Sequence, residues 1–141
     1  MSRFSLELLP GLLAICRLPA GDPWPDWAVG PPLASVTRCA DELSVICAQE
    51  RAPRGIRRSD GWRALRAVGP MDLNLVGVLS SLLEPLTAAG VTVFALSTYD
   101  TDYLLVRQDQ VAAARVALNQ AGHQVAERAR ARPPRCASAR R

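Results

Sequence analysis

Lysine is absent from the 141 residues, and all seventeen basic side chains are arginine. No fold requires this, and compositional bias accounts for it. Histidine occurs once, as His123. With no second histidine and no paired serine or cysteine nucleophile pattern, it has no catalytic partner. The four cysteines, Cys16, Cys39, Cys47 and Cys136, form no C-x-x-C pair, which argues against a metal site. Three of them lie in apolar runs, where a free thiol behaves as a small hydrophobe, and a reduced cytoplasmic setting fits this usage. Neither G-x-x-x-x-G-K-[ST] nor G-x-G-x-x-G occurs, so no phosphate cradle is encoded. No metal or cofactor is expected. No uninterrupted apolar run approaches the ~18 residues of a spanning helix. Residues 4–16 are apolar, but Glu7 and Pro10 interrupt them and only Arg3 precedes them, unlike a signal peptide. The chain is expected to be soluble, with no membrane partner.

What is present supports one ordinary domain or two very small ones, with 49% hydrophobic residues available for a core. The formal charge of +4 is unevenly placed. Residues 128–141 carry six arginines and no acid, whereas the first 127 residues hold eleven arginines and thirteen acids. The folded part therefore reads as slightly acidic and the tail as disordered. An arginine tail can meet nucleic acid, but this one lacks interleaved aromatics, and no nucleic-acid partner is expected.

The C-terminal half reads as β-α-β-β-α-β over residues 62–127. Trp62–Val68 is a strand ended by Gly69-Pro70. Leu75, Leu79, Leu82 and Leu86 recur at helical spacing, with Asp72 or Asn74 available as cap, Gly90 as terminator and Pro85 as an internal irregularity. Val91–Leu96 and Tyr103–Arg107 are paired strands. Asp109 is placed to cap a second helix through Ala121, Gly122 ends it, and His123–Ala126 is a last strand. This order defines a ferredoxin-like α+β fold with helices on one face of an antiparallel sheet, and the other face needs a cover. The N-terminal half looks like an incomplete copy. Strands are expected at Leu12–Leu18, Leu33–Arg38 and Leu43–Ala48, with a short turn or helix around Trp24–Trp27. Asp41 and Glu42 read as turn residues. Residues 51–61 read as a charged Gly/Pro-marked linker in place of a second helix.

Between two apolar strands stands Ser97-Thr98-Tyr99-Asp100-Thr101-Asp102-Tyr103. A plain hairpin needs only a turn residue such as Gly or Asn. Hydroxyls, phenols and two carboxylates here suggest a ligand-facing edge or a heavily hydrogen-bonded turn. In an extended chain Asp100 and Asp102 would share a side and could hold an ammonium or guanidinium. The structural alternatives are an Asx turn at Asp100, an arginine partner for Asp102, and strand packing for Thr98 and Tyr99.

Gly69-Pro70-Met71-Asp72-Leu73, the helix through Ala89, Ala89-Gly90-Val91 and the Ser97–Tyr103 string together resemble bacterial ACT-domain proteins. The branch they resemble is the small tandem-ACT type related to the CASTOR arginine sensors, and Thr37–Ser44 resembles it also. The resemblance spans most of residues 8–126. It implies a degenerate ACT-like unit over 8–50, a linker over 51–61, an ACT domain over 62–127 and a tail over 128–141. It further implies a non-catalytic regulatory module. Such a module binds a small ligand, usually an amino acid, at an interface between ACT units, so a homo-oligomer is expected. The implied site joins Asp72, Asn74 and Gly77, in the loop leading into the first helix, to Thr98, Tyr99, Asp100 and Asp102 on the hairpin. Capping for Asp72 or Asn74 and close helix–strand packing for Gly77 stand as structural alternatives. The functional alternative is a dimerisation scaffold that has lost its ligand.

Overall fold

The computed structural model describes residues 3–128. The arginine tail apart from Arg128, and Cys136 with it, lies outside the described residues. The organising element is a long strand, β5 (Arg57–Ala67), whose side chains alternate between two apolar cores. On one edge it pairs with β7 (Asp102–Arg107), which in turn pairs with β6 (Val93–Ser97). On its other edge it pairs with two strands in succession. Its first half meets β2 (Leu13–Leu18) and its end meets β1 (Ser5–Leu8). β2 continues the sheet into β4 (Leu43–Ala48) and β3 (Ser35–Arg38). On the far side of β1, β8 (Gln124–Glu127) runs parallel.

Helices α1 (Val78–Ala88) and α2 (Val111–Gln120) cover one face. Leu82, Leu86 and Leu118 from them pack on Leu6, Leu8, Leu65, Leu104 and Val106 of the strands. Each such fully buried aliphatic side chain stabilises the fold by about 1.5–3 kcal/mol. A second core lies under the N-terminal strands, around Cys16, Val45 and Cys47, where Trp27 packs from the short 3-10 turn Asp26–Ala28. Trp24 is exposed. On the sheet face opposite the helices, Leu13, Ile46, Trp62, Ala64 and Leu105 form a third cluster shared by both halves. The guanidinium of Arg107 covers the Trp62 ring at 4.5 Å.

The β-α-β-β-α-β order expected for residues 62–127 is present, as β5-α1-β6-β7-α2-β8. Four local expectations are corrected. The strand β1 was not anticipated, because Glu7 reads as an interruption of an apolar run. In the sheet that residue alternates with buried Leu6 and Leu8, and β1 inserts between β5 and β8. Residues Arg57–Gly61, read as linker, form the first half of β5, since pairing with β2 overrides their charged, Gly-containing composition. Helix α1 starts at Val78 rather than Leu75. Asp72 and Leu75 close a turn, and Gly77 follows with φ of 84°, a left-handed conformation that ends any helix upstream of it. Leu75 consequently lies exposed. Asp109 does not cap α2. It sits in the 3-10 turn Gln108–Gln110, and Gln110 takes the cap position. The Gln110 side chain accepts from Thr92 N–H (3.1 Å) and donates to Gly90 O (3.3 Å), tying this turn to the end of α1.

His123 occupies a structural niche. Pro85 has no N–H, so Ser81 O lacks its intrahelical donor. His123 Nε2 lies 3.2 Å from that carbonyl, and Nδ1 accepts the Phe4 N–H at 3.0 Å. The ring is buried and stacked on Phe4. Both nitrogens are engaged by backbone, which assigns a neutral Nε2–H tautomer. Among the described residues no helix is long and apolar enough to cross a membrane, and no histidine, cysteine and carboxylate cluster could hold a metal ion.

Candidate functional site

The β6–β7 hairpin closes through a tight turn. Thr98 N–H donates to Thr101 O at 2.8 Å, leaving Tyr99 and Asp100 at the tip. Thr101 is buried and anchors the turn. Its hydroxyl donates to Ala67 O at 2.6 Å, one residue beyond the last β5–β7 pair, Arg66 with Tyr103. The Thr98 hydroxyl lies 3.1 Å from Thr101 O and 3.3 Å from Thr101 N. The loop leading into α1 is bound to the same turn, because Met71 N–H donates to Asp100 O at 2.6 Å. Two segments about thirty residues apart in sequence are thereby joined edge to edge.

A cavity of about 390 Å³ opens between them, within the usual range for small-molecule sites. Asp72, Gly77, Thr98, Tyr99, Asp100 and Asp102 line it, together with Met71, Leu79 and the first turn of α1. Six of the seven residues singled out from the sequence thus surround one space. Asn74 does not line it. Its N–H donates to Asp72 Oδ1 at 2.8 Å, so the pair builds an Asx turn in the loop instead of capping the helix. Asp100 and Asp102 do not share one side of an extended strand. The turn places Asp100 at its tip and Asp102 at the first position of β7, opposite Ser97. The Ser97 hydroxyl donates to Asp102 Oδ1, and among the described residues Asp102 has no ion pair.

The chemistry of the space is asymmetric. Three carboxylates line it, and no basic side chain does. The residue preceding α1 is Gly77, and no side chain caps the helix, so its first-turn N–H groups face outward without intrahelical acceptors. Negative side chains and a positive helix end therefore adjoin one cavity. Around its mouth Leu73, Leu75, Val76 and Tyr99 are exposed, with Val76 at 94% and Tyr99 at 79% of full accessibility. The sequence reading overlooked Thr101. The available signal was a threonine at the inner end of a polar turn, where a hydroxyl readily bonds nearby backbone.

A single sheet with two helices on one face and a cavity between the helix-entry loop and the central hairpin makes this an α+β domain with room for a small molecule at one edge. Residues 57–120 match the ACT domain family, and residues 11–55 match a separate model of an N-terminal domain. The structure is similar to the crystal structure of protein Atu0741 from Agobacterium tumefaciens, with a TM-score of 0.87 and 34% identity over 94% of this chain and 99% of that one. This chain belongs to the same family as the Agobacterium protein, and its residues 57–120 are an ACT domain. The fold is also that of VC0802 from Vibrio cholerae, a protein of unknown function described as a possible transport protein (TM-score 0.68, 20% identity, 84% of this chain and 89% of that one). It recurs in the regulatory subunit of aspartate kinase from Thermus flavus (TM-score 0.57, 11% identity, 86% and 97%). Among curated proteins there is no significant match.

Proposed function

We propose that this protein is a non-catalytic, cytoplasmic regulatory module that binds an amino acid in the cavity between the Met71–Gly77 loop and the Ser97–Asp102 hairpin. The observation that carries this reading is the pairing of an uncapped helix N-terminus with three carboxylates around one small space. The helix end suits an α-carboxylate, and Asp72, Asp100 and Asp102 suit an ammonium or guanidinium group. The leucines and Met71 supply an apolar wall. The exposed collar of Leu73, Leu75, Val76 and Tyr99 suits closure by a second ACT unit, which makes a homo-oligomer the working assembly. Under this reading residues 8–50 are a degenerate ACT-like unit of the tandem CASTOR type. Its strands β2, β3 and β4 extend the sheet, while 3-10 turns stand where helices would.

Ligand binding would bias an equilibrium between arrangements of these units in proportion to its differential affinity. A thermal-shift screen of the twenty amino acids tests the proposal. At least one is expected to raise the melting temperature in a concentration-dependent manner. Asp102→Ala is expected to abolish the rise. A flat screen confirmed by calorimetry would leave the dimerisation scaffold as the better account.

A further inference from the structure

The sheet face opposite the helices carries an uneven charge. Side chains alternate across each strand, so this face holds Leu13, Ile46, Trp62 and Leu105 and the residues opposite them or two positions away. Of the four acids in the strands, only Glu7 belongs to it. Asp60 bonds Arg58, which stands opposite Cys16 on the other face. Asp102 lines the cavity beside α1, and Glu127 pairs with Arg115 of α2. Four strand arginines project from the face, namely Arg17, Arg57, Arg66 and Arg107. Arg57 and Arg107 are exposed and have no ion pair among the described residues. Ion pairs to Arg66 at 3.9 Å and Arg128 at 3.8 Å neutralise Glu7. The first 127 residues hold more acids than arginines, yet this face is positive.

Strand pairing sets these cations among rings. Arg107 lies opposite Trp62, and Arg66 lies opposite Tyr103, on the neighbouring strands β7 and β5. Phe94 on β6 meets the Trp62 ring edge-on at 6.5 Å. Arg107 closes over Trp62, which is 5% exposed, so the tryptophan acts as a seat for the guanidinium. The rings left at the surface are Phe94, 37% exposed, and Tyr103, half-buried. They are diagonal neighbours on β6 and β7, about 7–8 Å apart. Arg107 stands about 13 Å along β7 from Tyr103. Arg57 and Arg17, directly opposite each other on β5 and β2, extend the positive potential along the same face. The arginine-rich end of the sequence has no aromatic residues between its arginines. Here pairing between distant strands supplies that interleaving.

Exposed rings beside free arginines on an open face suit a polyanion with planar groups. Single-stranded nucleic acid has both features, since its bases stack on aromatic rings and its phosphates meet arginine. We infer that the face of β5, β6 and β7 opposite the helices is a binding surface for single-stranded nucleic acid. Successive bases stack on Phe94 and Tyr103, Arg66 and Arg107 hold the flanking phosphates, and Arg57 and Arg17 draw the strand along the sheet. The surface lies across the sheet from the cavity beside α1, so the two can be occupied together.

Fluorescence anisotropy of the full chain with a labelled oligouridine of about twelve nucleotides tests this, beside the matching oligodeoxythymidine and an RNA duplex of equal length. Single strands are expected to bind about tenfold or more tighter than the duplex, whose bases are already stacked on one another. A preference between the two strands would support the inference and assign contacts to the ribose hydroxyl. Phe94→Leu and Tyr103→Leu keep apolar packing and remove a ring, and each is expected to weaken binding about fivefold or more. Arg107→Gln is expected to flatten the slope of log affinity against log salt by about 0.7, the loss of one phosphate contact. Circular dichroism melts check that each variant is folded. Absence of binding to either single strand would overturn the inference, as would equal affinity for the duplex. So would binding that all three variants leave unchanged, which would assign it to charge attraction by arginines elsewhere in the chain. A dimer that Tyr103→Leu converts to monomer in light scattering would also overturn it, by giving the face to a second copy.

Discussion

Removing one methyl-sized hydroxyl should loosen the whole hairpin wall of the cavity beside α1. Thr101→Val keeps the shape of the side chain and deletes the donor to Ala67 O. That carbonyl sits where the β5–β7 ladder ends, and Thr101 is only 5% exposed, so water cannot readily replace the bond. An unsatisfied buried acceptor costs about 1–3 kcal/mol. For a chain of this size the melting temperature falls by about 4 °C per kcal/mol, so a drop of about 4–12 °C is expected. Thr101→Ser is the control. It keeps the hydroxyl and loses a methyl group, worth about 1 kcal/mol, and should fall by less than the valine variant. Thermal unfolding followed by circular dichroism measures both. The same turn also carries the bonds from Thr98 and the Met71 link to Asp100, so the valine variant should also weaken any amino-acid-induced stabilisation. A valine variant that melts within 1 °C of the parent, or a serine variant that melts lower than valine, would refute the claim that this hydroxyl anchors the turn.

Two further outcomes follow from the cores. His123→Leu strands Phe4 N–H and the Ser81 carbonyl that Pro85 has already deprived of a donor, so a loss of about 1–3 kcal/mol for each is expected in urea unfolding, with Pro85→Ala partly rescuing it by restoring the helical donor. Burial pushes the Cys16 thiol up to about 11 and raises Cys47 too, in each case chiefly by desolvation. In the unfolded chain these thiols ionise first, at their ordinary values near 9. The native state then holds more protons, and stability should fall as the pH rises from about 9 toward 11. A Cys16→Ala/Cys47→Ala chain should lose that alkaline slope, measured as the urea midpoint against pH.

Much of the C-terminal unit was legible because its signals are local. Leucine spacing marks α1, the glycines at 90 and 122 mark helix ends with φ of 73° and 94°, β-branched and aromatic residues mark β6, and a short apolar run marks β7. The polar string at Ser97–Tyr103 stands out by its composition alone, and its residues Ser97–Asp102 line the cavity beside α1. Tertiary structure decided what local signals cannot carry. β1 is a four-residue strand that exists because β5 and β8 present open edges on either side of it. The first half of β5 is charged and glycine-broken, and only pairing with β2 makes it extended. The start of α1 was set by an Asx turn and a left-handed glycine rather than by leucine periodicity. The two aspartates read as neighbours on a strand are divided by a turn, and both still line the cavity, because Thr101 and Met71 hold that turn against β5 and the helix-entry loop. Sequence by itself determined which polar residues are available to the proposed site. Their arrangement into one space required backbone hydrogen bonds between segments far apart in the chain, whose partners no local pattern encodes.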